Sequence, residues 1–339
     1  MQRPVMNPEM LEESEAEVVR PRFSGMRALA AAIGRLLMVD VLPSHRPCPR
    51  QDGSLAAWLA RRILRRLAFV PLILALLVSA MCYIGSHPPA LPADADPTSV
   101  GVYYDPVTFL SGDGTRLEGW IVPVLDARKV VEQKEAALAR KEPAVVLVHD
   151  FGRSRQQMLP LIRPLHDAGF VVLAINLRGS GASDIACQTF GLKEASDVEA
   201  AVELLRRRTY IDPGRVGVIG IGTGANAALI AAQRDPNVAA VVLQDPITQS
   251  AEALDHHLGA TQPWLRWLDP LCKCSFEISC GVDLDELNIS RYHPMMIIRP
   301  VLLMDTQMNS ARVFNRRGQA MVCDFLTLHL KPWDVAAAQ

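Results

Sequence analysis

The stretch Val216-Gly-Val-Ile-Gly-Ile-Gly-Thr-Gly-Ala-Asn-Ala-Ala-Leu-Ile-Ala-Ala-Gln233 joins a run of β-branched residues to a helix-forming run through closely spaced glycines. Valine and isoleucine favour a strand, whereas alanine, leucine and glutamine favour a helix. Glycine adopts the backbone conformations that a sharp turn between the two requires. We therefore predict a buried strand, a tight turn at Gly220 to Gly224, and a helix.

The same alternation continues on both sides of this unit. Apolar runs predict strands at 144–148, 171–175, 238–243 and 301–304, and helical patterns occur at 156–168, 194–207, 225–233 and 312–330. Strands that are apolar throughout are typical of a parallel sheet covered on both faces. Upstream, 107–110 and 117–123 flank Ser111-Gly-Asp-Gly114, which indicates a hairpin. A charged surface helix is expected at 127–140.

The fold class expected is therefore α/β, with a mostly parallel central sheet covered by helices on both faces and a single transmembrane helix before it. The chain carries 35 basic and 36 acidic residues, a net charge of −1, so bulk electrostatics give no reason to expect a nucleic-acid partner. Half of the residues are hydrophobic, and the excess is concentrated in one stretch.

That stretch is Leu67 to Gly85, which contains no charged residue and has about the 20 residues that a membrane-spanning helix needs. Arg61, Arg62, Arg65 and Arg66 precede it, and no Lys or Arg occurs between Leu67 and Thr115. The positive-inside rule then puts the N-terminus in the cytoplasm and the large domain outside it, in the periplasm if the protein is bacterial. A buried core helix and a cleaved signal peptide are the competing interpretations.

Four regions follow from these patterns. Residues 1–66 form a cytoplasmic arm, partly disordered, and 67–85 form the transmembrane helix. A Pro-rich linker at 86–99 is expected to be an extended spacer that holds the domain off the bilayer. The domain itself occupies 100–335, with an excursion at 247–298.

Two motifs follow predicted strands, at the edge where ligands of such sheets bind. His149-Asp150-Phe151-Gly152 comes after the strand at 144–148, and Asn176-Leu-Arg-Gly-Ser-Gly-Ala-Ser183 comes after the strand at 171–175. With the hairpin and the segment 211–220, these motifs resemble those of the α/β-hydrolase family over roughly 105–330. The resemblance implies that the 149–152 turn helps to build an oxyanion hole, that His149 orients this turn, and that the excursion is a cap.

In that family the turn after the central strand reads Gly-x-Ser-x-Gly and carries the nucleophile. The corresponding residues here are Gly220-Ile221-Gly222-Thr223-Gly224, so Gly222 stands at the serine position. Glycine has no side-chain oxygen, and no acyl intermediate can form on it. Thr223 is a poor substitute, because the residue that follows the nucleophile position in this turn points its own side chain away from the site. Its backbone N–H is expected, with that of Phe151, to form an oxyanion-like pocket.

The resemblance also implies an acid beyond the seventh strand and a histidine near the end of the domain. Asn309 stands where the acid is expected, and Asp305 lies at the end of the strand itself. The only histidine after them is His329, which we expect to be exposed on the last helix. The remaining hydroxyl candidates are Ser154 and Ser180, acting with His149.

The cap excursion holds the other candidate groups. His256-His257 are expected on a surface helix, and Trp264 and Trp267 suggest an apolar cap that suits a ligand pocket or a membrane-facing lip. Outside the cytoplasm its cysteines can form disulfides, and the predicted pair is Cys280 with Cys272 or Cys274. No metal site and no cofactor are predicted, because ligands at a recognised spacing are missing.

Two functions follow. The first is a membrane-anchored pseudo-hydrolase that binds or scaffolds, with a small-molecule or acyl ligand possible in the cleft and an undefined protein partner. The second is an active ester or amide hydrolase with a non-standard catalytic constellation.

Overall fold

A computed structural model describes residues 55–89, 95–124, 141–247, 268–287, 299–305 and 313–331. Within them, seven strands form one sheet in the order β1-β2-β4-β3-β5-β6-β7. The strands are β1 (Asp105–Leu110), β2 (Arg116–Val122), β3 (Glu142–Val148), β4 (Val171–Asn176), β5 (Ile211–Ile221), β6 (Val238–Gln244) and β7 (Val301–Met304). The helices are α1 (Leu55–Ser86), α2 (Leu159–Asp167), α3 (Glu194–Arg206), α4 (Thr223–Arg234), α5 (Asp269–Cys280) and α6 (Arg316–Leu330).

The sheet is mostly parallel, as predicted. β1 and β2 form the expected antiparallel hairpin, and β2 pairs antiparallel with β4. β4, β3, β5, β6 and β7 are parallel to one another in that spatial order. The five predicted parallel strands are all present, so the expected mostly parallel sheet with flanking helices is confirmed.

Helices cover both faces of the sheet because the strand side chains alternate between two apolar cores. Val146 and Val148 of β3 belong to the core that includes α3, α4 and α5. Val145 and Leu147 of the same strand belong to the core that includes α2 and α6. Every one of these four valine and leucine side chains is fully buried, which explains why the strand is apolar throughout.

Helix α1 is longer than the predicted span at 67–85. It begins at Leu55, because the residues before the apolar stretch are mostly alanine, leucine and arginine, which favour helix. Its segment Phe69–Ser86 is long and apolar enough to cross a membrane, with 17% of that segment buried. Among the described residues, one helix therefore has the length and composition of a span.

The carboxyl end of α1 packs against the domain. Val78 and Cys82 are buried beside Cys272 of α5. Ser86 is also buried, and its carbonyl accepts a hydrogen bond of 2.9 Å from the backbone N–H of Gln188. At this end the last turns of the helix therefore contact the domain directly. That residues 86–99 act as an extended spacer stays a prediction, since 90–94 lie outside the described residues.

The predicted disulfide is wrong. Cys280 pairs with Cys187, in the loop after β4, and their Cα atoms are 5.9 Å apart. Cys272, Cys274 and Cys280 all lie on α5, where a rise of about 1.5 Å per residue separates Cys280 from the other two by roughly 9–12 Å along the axis. A disulfide requires Cα atoms within about 7 Å, so a regular helix excludes both predicted pairs.

Several predicted features lie outside the described residues. They are most of the cytoplasmic arm, the helix at 127–140, much of the cap excursion, and the residues Asn309, His256, His257, Trp264 and Trp267.

Candidate functional site

The turn between β5 and α4 is built around Gly222. This residue has φ 54° and ψ −117°, a backbone conformation that strains any residue with a Cβ. Its N–H donates to the carbonyl of Gln244 at the end of β6, at 2.9 Å. A Cβ at Gly224 would collide with the carbonyls of Val148 and His149, so the small residue lets the helix start close to the end of β3.

Asp150 fills the space beside this turn. Its Oδ1 accepts hydrogen bonds from the backbone N–H of Phe151 at 2.7 Å and from that of Thr223 at 2.9 Å. A Cβ built on Gly222 would collide with the same carboxylate. The two N–H groups expected to form an oxyanion-like pocket do converge, but the side chain of Asp150 already occupies them.

This arrangement suits a carboxylate electrostatically. Thr223 is the first residue of α4, and the N-terminus of a helix carries partial positive charge and unpaired N–H groups. Asp150 is itself held in place, since its N–H donates to Oε1 of Gln157 at 2.8 Å. The chain thus supplies its own anion to an anion-binding turn.

His149 is locked by both of its ring nitrogens. Nδ1 donates to the carbonyl of Asp150 at 2.7 Å, and Nε2 accepts from the N–H of Leu177 at 3.1 Å. The side chain is fully buried, and burial lowers its pKa from 6.5 to about 4. At neutral pH it is therefore a neutral imidazole that ties the 149–152 turn to the end of β4 and has no ring nitrogen left for a substrate.

Gln188 connects three parts of the site, and no pattern in the sequence pointed to it. Its Oε1 accepts from the N–H of Gly152 at 3.1 Å, and its Nε2 donates to Ser180 Oγ at 2.7 Å. Its own N–H donates to Ser86 at the end of α1. Because Cys187 beside it forms the disulfide with Cys280, this loop is also linked covalently to α5.

The loop after β4 rests on a buried ion pair. Arg178 Nη2 and Asp197 Oδ1 are 2.6 Å apart, and both side chains are at most 2% exposed. Asp113 of the hairpin turn binds Nη1 of the same guanidinium at 2.6 Å. Partial burial raises the pKa of Asp113, but the hydrogen bonds from Arg178 and Thr115 and the charge of Arg178 together outweigh it and lower that pKa to about 2. The hairpin motif thus anchors the loop that carries Ser180.

An aromatic row forms one side of the site. The rings of Phe151 and Phe190 stack with centroids 5.7 Å apart, and those of Phe190 and Phe276 stack at 5.3 Å. Phe190 has a positive φ of 58°, which is unusual for a bulky residue. Buried Glu194 holds this conformation by accepting from the N–H groups of Thr189 at 2.6 Å and Gly191 at 2.9 Å.

The predicted acid and base positions do not converge on Gly222. Asp305 directly follows β7, two strands away from β5, and strands lie about 4.8 Å apart, which puts its backbone roughly 10 Å from the end of β5. His329 is exposed on α6, as expected, and its ring contacts Phe325 edge-on at 4.7 Å. Within the described ranges, no strand follows β7.

Asp245 is a nearer acid that sequence reasoning missed. It follows β6, beside the Gln244 carbonyl that binds Gly222, and has a φ of 48°. Its Oδ2 accepts from the side-chain amide of Gln244 at 3.1 Å. The only available signal was its position at the carboxyl end of a predicted strand. Among the described residues, no group of three His, Cys, Asp or Glu side chains could hold a metal ion.

Comparisons with known proteins agree with this architecture. A family model described as the prolyl oligopeptidase family matches residues 156–302, less than half of the chain. An uncharacterized protein of Mycobacterium tuberculosis is 34% identical over 155 residues, which are 45% of this chain and 48% of that protein. The human protein ABHD12B is 33% identical over 34% of this chain and 32% of its own length. The chain thus spans about half, or less, of these curated relatives.

Solved structures give the same fold. A Pyrococcus furiosus esterase superposes with a TM-score of 0.52 at 20% identity, covering 72% of this chain and 99% of the esterase. At that identity the likeness establishes the fold and not the chemistry.

Proposed function

We propose that this chain, whose fold is that of the α/β hydrolases, is a membrane-anchored binding or scaffolding protein without serine-hydrolase activity. The observation that carries the proposal is the Asp150 carboxylate bound to the N–H groups of Phe151 and Thr223, beside a glycine at the nucleophile position.

The turn lacks both a nucleophile and a site that stabilises an oxyanion, which acyl transfer requires. Gly222 supplies no oxygen to attack a carbonyl, and the Thr223 side chain is buried. An oxyanion developing in the pocket would meet the Asp150 carboxylate. At about 3 Å and an effective dielectric constant of about 20, two like charges repel by roughly 5 kcal/mol. Oxyanion-hole donors normally stabilise the developing negative charge, whereas a carboxylate at this position repels it.

The proposed membrane anchor is α1. Nine large apolar side chains of its segment Phe69–Ser86 are exposed: Phe69, Val70, Leu72, Ile73, Leu76, Leu77, Met81, Tyr83 and Ile84. Burying such a side chain away from water is worth about 1.5–3 kcal/mol, so an aqueous environment would be very unfavourable. A helix of a soluble core would be mostly buried, whereas this one is 17% buried. A lipid bilayer satisfies both observations.

Two independent features support an extracytoplasmic domain. The arginines at 61, 62, 65 and 66 precede the apolar segment, which by the positive-inside rule keeps the N-terminal side in the cytoplasm. The disulfide between Cys187 and Cys280 lies in the domain on the other side of the helix, and disulfides persist in oxidising compartments.

An active hydrolase is the second candidate, favoured by the match of residues 156–302 to the prolyl oligopeptidase family. It would need a hydroxyl and a base. Ser180 Oγ accepts from the side chain of Gln188, and Ser154 is 7% exposed. Since both ring nitrogens of His149 are engaged, either serine would need the 149–152 turn to rearrange before a proton could be transferred.

Fluorophosphonate labelling of the full chain in detergent separates the two candidates. We expect no labelling and no turnover of an activated ester by the wild type or by Gly222→Ser, with or without Asp150→Gly. Ser154→Ala and Ser180→Ala serve as matched variants. Labelling of the wild type that one of these variants abolishes would establish the hydrolase and overturn the proposal.

Carbonate extraction of membranes tests the anchor. An integral span stays in the membrane pellet at high pH, and this is the expected result. Release of the chain into the supernatant would contradict the anchor while leaving the fluorophosphonate result unaffected.

A further inference from the structure

We propose that helix α5 of the cap lies in the lipid–water interface and contacts acyl chains through Leu271, Cys274 and Ile278. The inference rests on the proposed membrane span of α1 and adds a second membrane contact to it.

The geometric basis is the side-by-side packing of α5 and α1. Val78 and Cys82 of α1 are buried against Cys272. Cys82 Sγ donates to the carbonyl of Cys272 at 3.6 Å, and the hydroxyls of Ser79 and Ser275 are 3.1 Å apart. These contacts join α5 to the apolar segment of α1 itself, not to the residues that follow it.

The position of the contacts along α1 sets the depth of α5. Cys82 lies four residues and Val78 eight residues before the helix ends at Ser86, which at about 1.5 Å per residue is roughly 6 and 12 Å. The segment Phe69–Ser86 is about 27 Å long, and the hydrocarbon core of a bilayer is about 30 Å thick. The apolar segment is therefore not longer than the hydrocarbon core, so its last turns, and α5 beside them, lie at the membrane boundary and not beyond it.

That depth agrees with the depth of about 5–10 Å at which interfacial helices lie. The exposed surface of α5 also has the required character. Leu271 is 36% exposed and Ile278 is 79% exposed, and with exposed Cys274 they form one stripe at spacings of three and four residues. Water-facing positions at this spacing are normally polar, so an exposed apolar stripe indicates a non-aqueous environment.

The other sides of α5 are already committed. Cys272, Phe276 and Cys280 face the protein and are buried. Lys273 lies between the two stripes and pairs with Asp285, a position from which a charged group reaches the headgroup layer. The disulfide from Cys280 also holds the loop that exposes Ile185 by 90%.

Phe276 faces inward on the same helix and stacks on Phe190, which stacks in turn on Phe151. The helix proposed to contact lipid on one side thus forms part of the aromatic row of the site on the other.

A fluorophore on Cys274 tests the contact in the full chain. The labelled protein carries Cys323→Ser, which removes the other free thiol among the described residues that is not buried, and Cys48→Ser, which removes the cysteine outside those residues. It is reconstituted into phosphatidylcholine vesicles with or without lipids spin-labelled near the headgroup end of the acyl chain. The matched control carries Cys48→Ser, Cys274→Ser, Cys323→Ser and Gln233→Cys. Gln233 is exposed near the carboxyl end of α4, which lies toward the amino end of β6 and away from the turn after β5.

We expect a blue-shifted emission and quenching by spin-labelled lipid at Cys274, with neither at residue 233. Ile278→Asp changes a largely exposed residue and should reduce the quenching at Cys274 by about twofold or more while the chain still floats with the vesicles. Flotation with an unquenched, solvent-like label at Cys274 would overturn this inference alone. Failure to float would overturn the membrane anchor, and this inference with it.

Discussion

Replacing Gly222 with alanine measures directly how strongly Asp150 occupies the space at the turn. A Cβ at this position would collide with the carboxylate, and the backbone has φ 54° and ψ −117°. The substitution therefore has two separable effects. One is backbone strain, which depends on residue 222 alone, and the other is displacement of Asp150.

The two effects have different magnitudes. A residue with a Cβ in a sparsely populated backbone region costs about 1–3 kcal/mol. Displacing the carboxylate breaks its bonds from Phe151 and Thr223, and a hydrogen bond to a charged group contributes about 1.5–3 kcal/mol. Because the turn is only partly buried, water can replace part of the two lost hydrogen bonds. We therefore use the lower end of this range, which gives about 3 kcal/mol for the two bonds together. Gly222→Ala should then destabilise the wild type by roughly 4–6 kcal/mol.

In an Asp150→Gly background only the strain remains, so the same substitution should cost about 1–3 kcal/mol. The coupling energy between positions 150 and 222 is then about 3 kcal/mol. Asp150→Asn is the matched control, because an amide of the same shape keeps the collision but accepts weaker hydrogen bonds, so Gly222→Ala should cost an amount between the Asp150→Gly and wild-type values.

The assay is urea unfolding of the full chain in detergent, followed by tryptophan fluorescence, which reports on the buried Trp120. Costs of Gly222→Ala that agree within about 0.5 kcal/mol in the wild-type and Asp150→Gly backgrounds would refute the reasoning. The Asp150 carboxylate would then lie away from the turn, and the pocket would be open.

Three other predictions concern stability. Because burial holds the pKa of His149 near 4 against 6.5 when unfolded, its contribution is complete above pH 6.5 and is lost as pH falls toward 4. Acidification from pH 7.5 to 5 should therefore destabilise the wild type by about 2 kcal/mol more than His149→Asn, and equal pH slopes would contradict this. Reducing the Cys187–Cys280 disulfide, which spans 93 residues, should lower stability by roughly 4–5 kcal/mol in the chain-entropy account, whereas reductant should not affect the double serine variant. Asp197→Asn leaves the Arg178 charge buried and should cost about 3–5 kcal/mol, and adding Arg178→Met should recover part of the loss; no recovery in urea unfolding would argue against a buried pair.

The parallel sheet was predictable because its information is local. Strand β3 is apolar on both faces, and the hairpin turn contains its own glycines. The residues of each short segment therefore suffice to predict its conformation, without information from distant residues. The apolar length of α1 is local in the same way. Even the glycine at residue 222 could be located, since a strand, three glycines and a helix follow one another directly in the chain.

The state of the pocket could not be predicted, because it depends on atoms that are distant along the chain. Asp150 and Thr223 are 73 residues apart, Gly152 and Gln188 are 36 apart, and Cys187 and Cys280 are 93 apart. The sequence predicted that two N–H groups would converge, but only packing of β3 against β5 decided which acceptor reached them. A hydrogen bond requires positions accurate to a few tenths of an ångström, and that accuracy comes from the packed core, not from any local pattern.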